Sequence, residues 1–210
     1  MPSSNATPTV FIVDDDISVR ESLELLIRSE GWRPQTFSSA TAFLASDRVS
    51  APSCLILDVS LPDLNGLDVQ TRVLDRVTMP IIFITGHGDI PMSVKAMKAG
   101  AIEFLTKPFA TDVLLEAIRH AIERSRVALT IQADAQALRA SYVLLTPRER
   151  QVMARIVAGL LNKQVGDDLG ISEITVKAHR GKVMHKMKAS SFAQLVTMAT
   201  RLGLAPPAKA

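Results

Sequence analysis

Residues 54–66, CLILDVSLPDLNG, constrain the fold of this chain more than any other stretch. The apolar residues Cys54, Leu55, Ile56 and Leu57 run without a break into a carboxylate, Asp58, and a loop punctuated by Pro62, Asn65 and Gly66 follows at once. A short apolar run between turn signals predicts a strand buried on both faces, as in a parallel sheet. Asp58 then stands at the carboxyl end of that strand, the edge at which open α/β sheets place their ligands.

The neighbouring segments supply partners for such a strand. Residues 9–13 are β-branched and aromatic and end in Asp14, Asp15 and Asp16. Ser18 and Glu21 form a capping-box pattern that opens a helix over 19–30, with Leu23, Leu26 and Ile27 as its apolar face and Gly31 at its end. A weaker strand spans 33–37, and Ser38 or Ser39 caps a short helix to about residue 45. A helix follows over 67–77, then a fourth buried strand over 81–85 that ends in the hydroxyl of Thr85. Gly86, Gly88 and Pro91 punctuate the next loop, 92–99 is helical, Gly100 breaks it, and a fifth strand over 102–106 runs into Lys107 and Pro108. A long helical pattern starts near residue 111. Five strands alternating with helices predict right-handed βαβ units and a parallel sheet.

Four of the five strand ends deliver a polar group to one edge: Asp14 and Asp15, Asp58, Thr85 and Lys107. Carboxylates crowded together repel and raise at least one pKa. A divalent, oxygen-seeking cation resolves the conflict, and Mg²⁺ suits a few carboxylates with water and phosphate oxygens. Lys107 adds a point positive charge and Thr85 a hydroxyl donor. The set fits a phosphoryl group on Asp58, because a carboxylate is itself a nucleophile able to form an aspartyl-phosphate. Asp16 reads as merely solvated, Cys54 as a small buried hydrophobe, and His87 and His120 lie far from any metal-ligand spacing.

Charge divides the chain. Residues 1–124 carry 11 Lys/Arg and 16 Asp/Glu, a net of −5, whereas residues 125–210 carry 13 and 5, a net of +8. An acidic front and a basic back predict two domains with different partners, the second being nucleic acid. A single Cys excludes a disulfide framework and fits a reducing cytoplasm. No apolar run reaches the length of a membrane span, and residues 1–9 read as a flexible lead rather than a signal peptide. Helical patterning continues from 112 to about 140, with Leu114, Leu115, Ile118, Ala121 and Ile122 as its stripe. Beyond Arg124 no Gly or Pro intervenes before Pro147, which predicts a helical linker; its apolar spacing does not sustain a heptad.

The basic half is dense with helix punctuation. Thr146-Pro147-Arg148-Glu149 combines a cap, a Pro at the first helical position and a capping-box Glu, with Val152, Ile156 and Val157 facing inward. Asn162 caps a helix over 163–169, Ser172 one over 173–187 with Val176, Val183 and Met187 on its inner face, and Ser191 one over 192–202. Two helices joined by a tight turn at Gly170-Ile171 form a helix-turn-helix signature, whose second helix enters the major groove. Its outer face carries Thr175, Lys177, Ala178, Gly181 and Lys182, with Lys186 further along. Lys177 and Thr175 are the candidates for base contact, while Arg180, Lys186, Asn162 and Lys163 are candidates for phosphate contact. Either the helix approaches DNA closely at Gly181 or Lys182 does the reading. His179 lies on the inward side and His185 is peripheral.

VDDD, LILDVSLPDLNG, FITGHGD and FLTKPF, in this order and at these strand ends, resemble the receiver domain of two-component response regulators over residues 8–124. LTPRERQVMARIVAGLLNKQV and GISEITVKAHRGKVMHKM resemble the LuxR/NarL-type DNA-binding domain over 144–204, and the order of the two is similar to FixJ-like regulators. The resemblance implies a flavodoxin-like receiver with strand order 2-1-3-4-5 (1–124), a helical linker (125–143) and an all-α four-helix helix-turn-helix domain (144–210). It implies that Asp58 accepts phosphate from a sensor histidine kinase, with Asp14, Asp15, Asp58 and the Ser60 backbone carbonyl holding Mg²⁺. It makes Thr85 and Phe104 the switch pair and Lys107 the phosphate-contacting lysine, with a cis Lys107-Pro108 peptide. It further implies a homodimer on phosphorylation through 92–98 and 102–106, promoter DNA and RNA polymerase as partners, no membrane, and a cytoplasmic transcription regulator. Ser60 and His87 are expected to influence water access and phosphoryl lifetime. Two rivals remain: a phosphatase or ATPase, for which the chain lacks a second catalytic acid in a D-x-D pattern with Asp58 and a cap domain, and a DNA-binding regulator whose receiver is a phosphorylation-independent dimerisation module.

Overall fold

Side-chain alternation along the strands sorts the apolar residues of the front half onto two faces of one sheet. The computed structural model describes residues 6–47, 49–73 and 78–204, so residues 1–5 of the expected lead and 74–77 of the expected 67–77 helix lie outside it. The strands are β1 (Thr9–Val13), β2 (Arg33–Phe37), β3 (Ser53–Asp58), β4 (Ile81–Thr85) and β5 (Glu103–Thr106). They pair in parallel in the order β2-β1-β3-β4-β5, as expected. Phe11, Val13, Leu55, Leu57, Ile81 and Phe83 enter one core. Val10, Ile12, Cys54, Ile56, Ile82 and Ile84 enter the other. The first face is covered by α2 (Ala40–Leu44), α3 (Gly66–Arg72) and α4 (Ile90–Lys98) through Phe43, Val69 and Ala96. The second is covered by α1 (Ile17–Ser29) and the N-terminal part of α5 (Thr111–Val143) through Leu23, Ile27, Leu114, Ile118 and Ala121. Burial on both sides is why β1, β3 and β4 read as unbroken apolar runs, whereas the edge strand β2 is partly exposed.

Several helix starts differ from expectation. Asp16, expected to be merely solvated, is the N-cap of α1: its carboxylate accepts from the Ser18 N–H at 2.8 Å and the Ser18 hydroxyl at 2.7 Å. The helix therefore opens at Ile17, and Ser18 with Glu21 does not form its box. Pro91, expected as loop punctuation, lies in the first turn of α4 behind the Asp89 cap, where a missing N–H costs no helical hydrogen bond.

The chain divides into two compact units, Met1–Ile131 and Gln132–Ala210. α5 is a single helix of 33 residues. Its Ser125 is fully buried; the hydroxyl accepts from the Ser53 N–H at 2.9 Å and donates to the Thr78 carbonyl. Its Leu138 belongs to the core of the second unit. That unit holds α6 (Pro147–Val157), α7 (Asn162–Leu169), α8 (Glu173–Lys186) and α9 (Phe192–Arg201) around Val152, Ile156, Val165, Val176, Val183 and Leu195. The Thr146–Glu149 capping box is present as expected. Asn162, expected as a cap, is instead the first helical residue of α7; Leu161 takes the cap position, and the Gln164 side chain accepts its N–H at 2.8 Å. The α7–α8 turn passes through Gly170 at φ +65 and is tight enough that a Cβ on Gly166 would lie 2.7 Å from the Ile171 carbonyl oxygen. Among the described residues, no helix is long and apolar enough to cross a membrane.

Candidate functional site

The parallel sheet gathers the strand-end residues into one place. Asp14 follows β1 and is fully buried; Asp58 ends β3 and is 5% exposed. The Lys107 ammonium, from the residue after β5, donates to both, at 2.6 Å to Asp14 Oδ2 and 2.8 Å to Asp58 Oδ2. The remaining Asp14 oxygen accepts from the Asp16 N–H at 2.9 Å, and Asp58 Oδ1 accepts from the Ser60 N–H at 2.9 Å. Burial holds the Asp14 carboxyl above its ordinary range despite Lys107 and the Asp16 N–H. Burial alone would lower the Lys107 ammonium, but its hydrogen bonds to Asp14 and Asp58 outweigh that and hold it above its usual value.

Carboxylate oxygens of Asp14, Asp15 and Asp58 lie within 4.8 Å of one another, and Asp15 is exposed. An all-oxygen donor set with one solvent-facing acid fits a hard divalent cation that keeps part of its water shell. Thr85 is fully buried at the end of β4, and its Oγ1 accepts from the His87 N–H at 3.2 Å. Phe104 is partly buried, 6.2 Å between ring centroids from Phe83. The Lys107-Pro108 peptide is cis. Ser60 is exposed and bridges Asn65.

Four contributions to this edge escaped sequence reading. Arg20 of α1 donates to the Asp14 carbonyl at 2.7 Å, fixing the β1–α1 turn. Asp63 accepts from the Thr41 N–H at 2.8 Å and from its hydroxyl at 2.7 Å, tying the loop after Asp58 to α2. A Cβ on Gly66 would meet the Asp58 carbonyl oxygen at 2.6 Å, so α3 can start this close to β3 only without a side chain. A Cβ on Gly88 would meet Phe104 at 2.9 Å and Thr85 at 3.0 Å, so Gly88 leaves the room that this pair occupies. Glycine is read in sequence as punctuation, and its role as an empty volume has no sequence signal.

In the basic unit, Val176, Val183 and Met187 anchor α8 in the core as expected. Ile174, Lys177, Ala178, Gly181, Lys182 and His185 are exposed, and Thr175 is half-buried with its hydroxyl 2.8 Å from that of Ser172. Lys177 forms a surface ion pair with Glu173 at 3.1 Å. The Arg180 guanidinium lies over the Phe192 ring at 4.8 Å and 3.4 Å from Asn162 Oδ1, so Asn162 and Arg180 adjoin; Lys163 is exposed. Lys186 donates to the buried Glu149 at 2.7 Å. His179 is half-buried, with Nδ1 unpartnered. The exposed Ile174 was absent from the expected groove face, since an apolar residue there reads as a core candidate.

Residues 10–119 match the family described as "Response regulator receiver domain", and residues 143–199 match "Bacterial regulatory proteins, luxR family". Nodulation protein W of Bradyrhizobium diazoefficiens is 50% identical over 196 residues, covering 93% of this chain and 86% of that protein. The transcriptional regulatory protein FixJ of Rhizobium meliloti is 44% identical over 199 residues, covering 94% and 98%. The solved structure of response regulator StyR is similar with a TM-score of 0.83 at 44% identity, covering 93% of this chain and 100% of that one. With the strand order and the acidic edge already seen, these matches place the chain in the family of FixJ-like two-component response regulators, transcription regulators that join a receiver domain to a LuxR-type DNA-binding domain.

Proposed function

We propose that this chain is a transcription regulator whose DNA binding is controlled by phosphorylation of Asp58. The observation that carries the reading is Asp58 itself, a nearly buried carboxylate at a sheet edge, hydrogen-bonded to an ammonium and adjoining two further acids. A sensor histidine kinase supplies the phosphoryl group: the phosphohistidine N–P bond breaks, an Asp58 Oδ–P bond forms, and the released imidazole nitrogen takes up a proton. Asp14, Asp15, Asp58 and the Ser60 carbonyl would hold Mg²⁺, which supplies charge neutralisation at the phosphoryl oxygens when bound. Lys107, which already donates to Asp58 Oδ2, contributes positive charge beside the phosphoryl group, while Ser60 and His87 shape water access to it.

Thr85 and Phe104 bias a two-state equilibrium towards a surface built from α4, β5 and the start of α5. Ile90 (79% exposed), Val94, Met97 and Val113 leave that region apolar enough to join a second copy. A homodimer then presents two α8 helices to related promoter half-sites. Lys177 and Thr175 meet or approach bases; Asn162, Lys163 and Arg180 meet phosphates, as does Lys186 through an N–H not taken by its bond to Glu149; and Lys182 faces the groove edge. RNA polymerase is the onward partner, in the cytoplasm. The test is intact mass after incubation with a small acyl phosphate and Mg²⁺. One phosphoryl group per chain is expected on the wild type, and none on Asp58→Asn or after chelation. Labelling of Asp58→Asn to the wild-type extent would overturn the assignment.

A further inference from the structure

Ile174, the second residue of α8, is 79% exposed, more than almost any other large apolar side chain among the described residues. It does not hold α8 in place, because Val176, Val183 and Met187 do so from the opposite side. On a helix of 3.6 residues per turn, Ala178 and Gly181 lie on the same stripe as Ile174, one and two turns on, and both are exposed. Lys177 and Lys182 bracket this stripe at roughly 60° and 80° of arc on either side. A Cβ on Gly181 would meet nothing within 4 Å, so no intramolecular packing demands glycine there.

The outer face of α8 is thus an apolar strip with low relief between two ammonium groups, with its bulkiest member at the N-terminal turn. Leaving an isoleucine in water carries no folding benefit, and a polar partner surface would gain nothing from it. The occupant that fits both parts is a duplex major groove, whose phosphate rims and acceptor-bearing base edges suit lysines and whose floor has one apolar feature, the thymine 5-methyl group. The N-terminal residues of such a helix are those that reach base edges. We infer that Ile174 reads a thymine methyl, and that Ala178 and Gly181 let α8 approach closely enough for it to do so. The inference rests on the proposed reading of α8 as the DNA-contacting helix, and it adds that the selected half-site contains a thymine recognised by its methyl group rather than by hydrogen bonds.

The test uses the full chain with acyl phosphate and Mg²⁺. Duplexes bound by the wild type are selected from a random library, and each thymine of the selected site is then replaced by uracil, which removes only the methyl group. At one base per half-site, uracil should weaken wild-type binding about fourfold, the scale of one methyl group withdrawn from an apolar contact. Ile174→Ser should bind the thymine and uracil duplexes equally, and Ile174→Val should restore sensitivity. Wild-type indifference to uracil at every position, or an undiminished uracil effect in Ile174→Ser, would overturn the inference while leaving DNA binding intact. Failure to select any duplex would overturn the α8 reading itself, and this inference with it.

Discussion

At Asp58 a carboxylate held nearly out of water accepts from one ammonium and one backbone N–H, with a fully buried acid sharing that ammonium. Such a cluster gains from a cation, so millimolar Mg²⁺ should raise the unfolding temperature of the wild type, as any ligand that binds only the folded state does. Asp14→Asn removes one donor and should abolish most of that rise in thermal unfolding followed by circular dichroism; an unchanged Mg²⁺ response would place the cation elsewhere. Gly66→Ala should destabilise the receiver by about 1–3 kcal/mol, read by urea denaturation, because its Cβ meets backbone rather than a movable side chain. Asp14, Asp15, Asp58 and Lys107 were legible in sequence because charges directly after buried strands are rare enough to be noticed. Arg20 and Asp63 were not, because their partners, Asp14 and Thr41, are brought near by chain crossings that a linear reading does not resolve.

Elements were legible to the extent that burial set their pattern. β1, β3 and β4 are buried on both faces and were read to within a residue, whereas two helix starts shifted: at α1 Asp16 caps in place of Ser18, and at α7 the Gln164 side chain accepts the Leu161 N–H, which puts Asn162 inside the helix. Glu149 shows how one residue serves two elements: it completes the α6 capping box and receives Lys186 from the end of α8, so α8 is tied at its C-terminus. Burial alone would raise its carboxyl, yet the Lys186 ammonium and the Thr146 N–H prevail and hold it below the ordinary value of 4.5. A lowered folded pKa gives stability that is present above the unfolded value and is lost as pH falls through the folded one. The unfolding temperature of the second unit should therefore fall on acidification below about 4.5, a dependence that flattens in Glu149→Gln. At neutral pH the same variant should lose about 2 kcal/mol, the scale of a charge-assisted hydrogen bond. An acid limb that is identical in both proteins would contradict this role.

Across the whole molecule, the two halves differ in charge as well as architecture, with a net of −5 in residues 1–124 and +8 in residues 125–210. DNA affinity should therefore fall linearly in log–log form with salt, and Lys163→Ala should shrink the slope by roughly one if that side chain neutralises a phosphate. The order of the domains was legible because each carries several spaced motifs, whereas the surface expected to join two copies, 92–98 with 102–106, followed from the family resemblance alone, since exposed Ile90 and Met97 read in sequence like any helical apolar residue. Whether phosphorylation at Asp58 governs DNA binding is decided by measuring promoter affinity and oligomer size together. Four samples suffice: wild type and Asp58→Asn, each with and without acyl phosphate and Mg²⁺. Treated wild type alone should become dimeric and bind roughly tenfold or more tightly, within the usual range of coupling between two sites. Equal affinity and size in all four samples would contradict it, and would leave the receiver as a dimerisation module indifferent to phosphate.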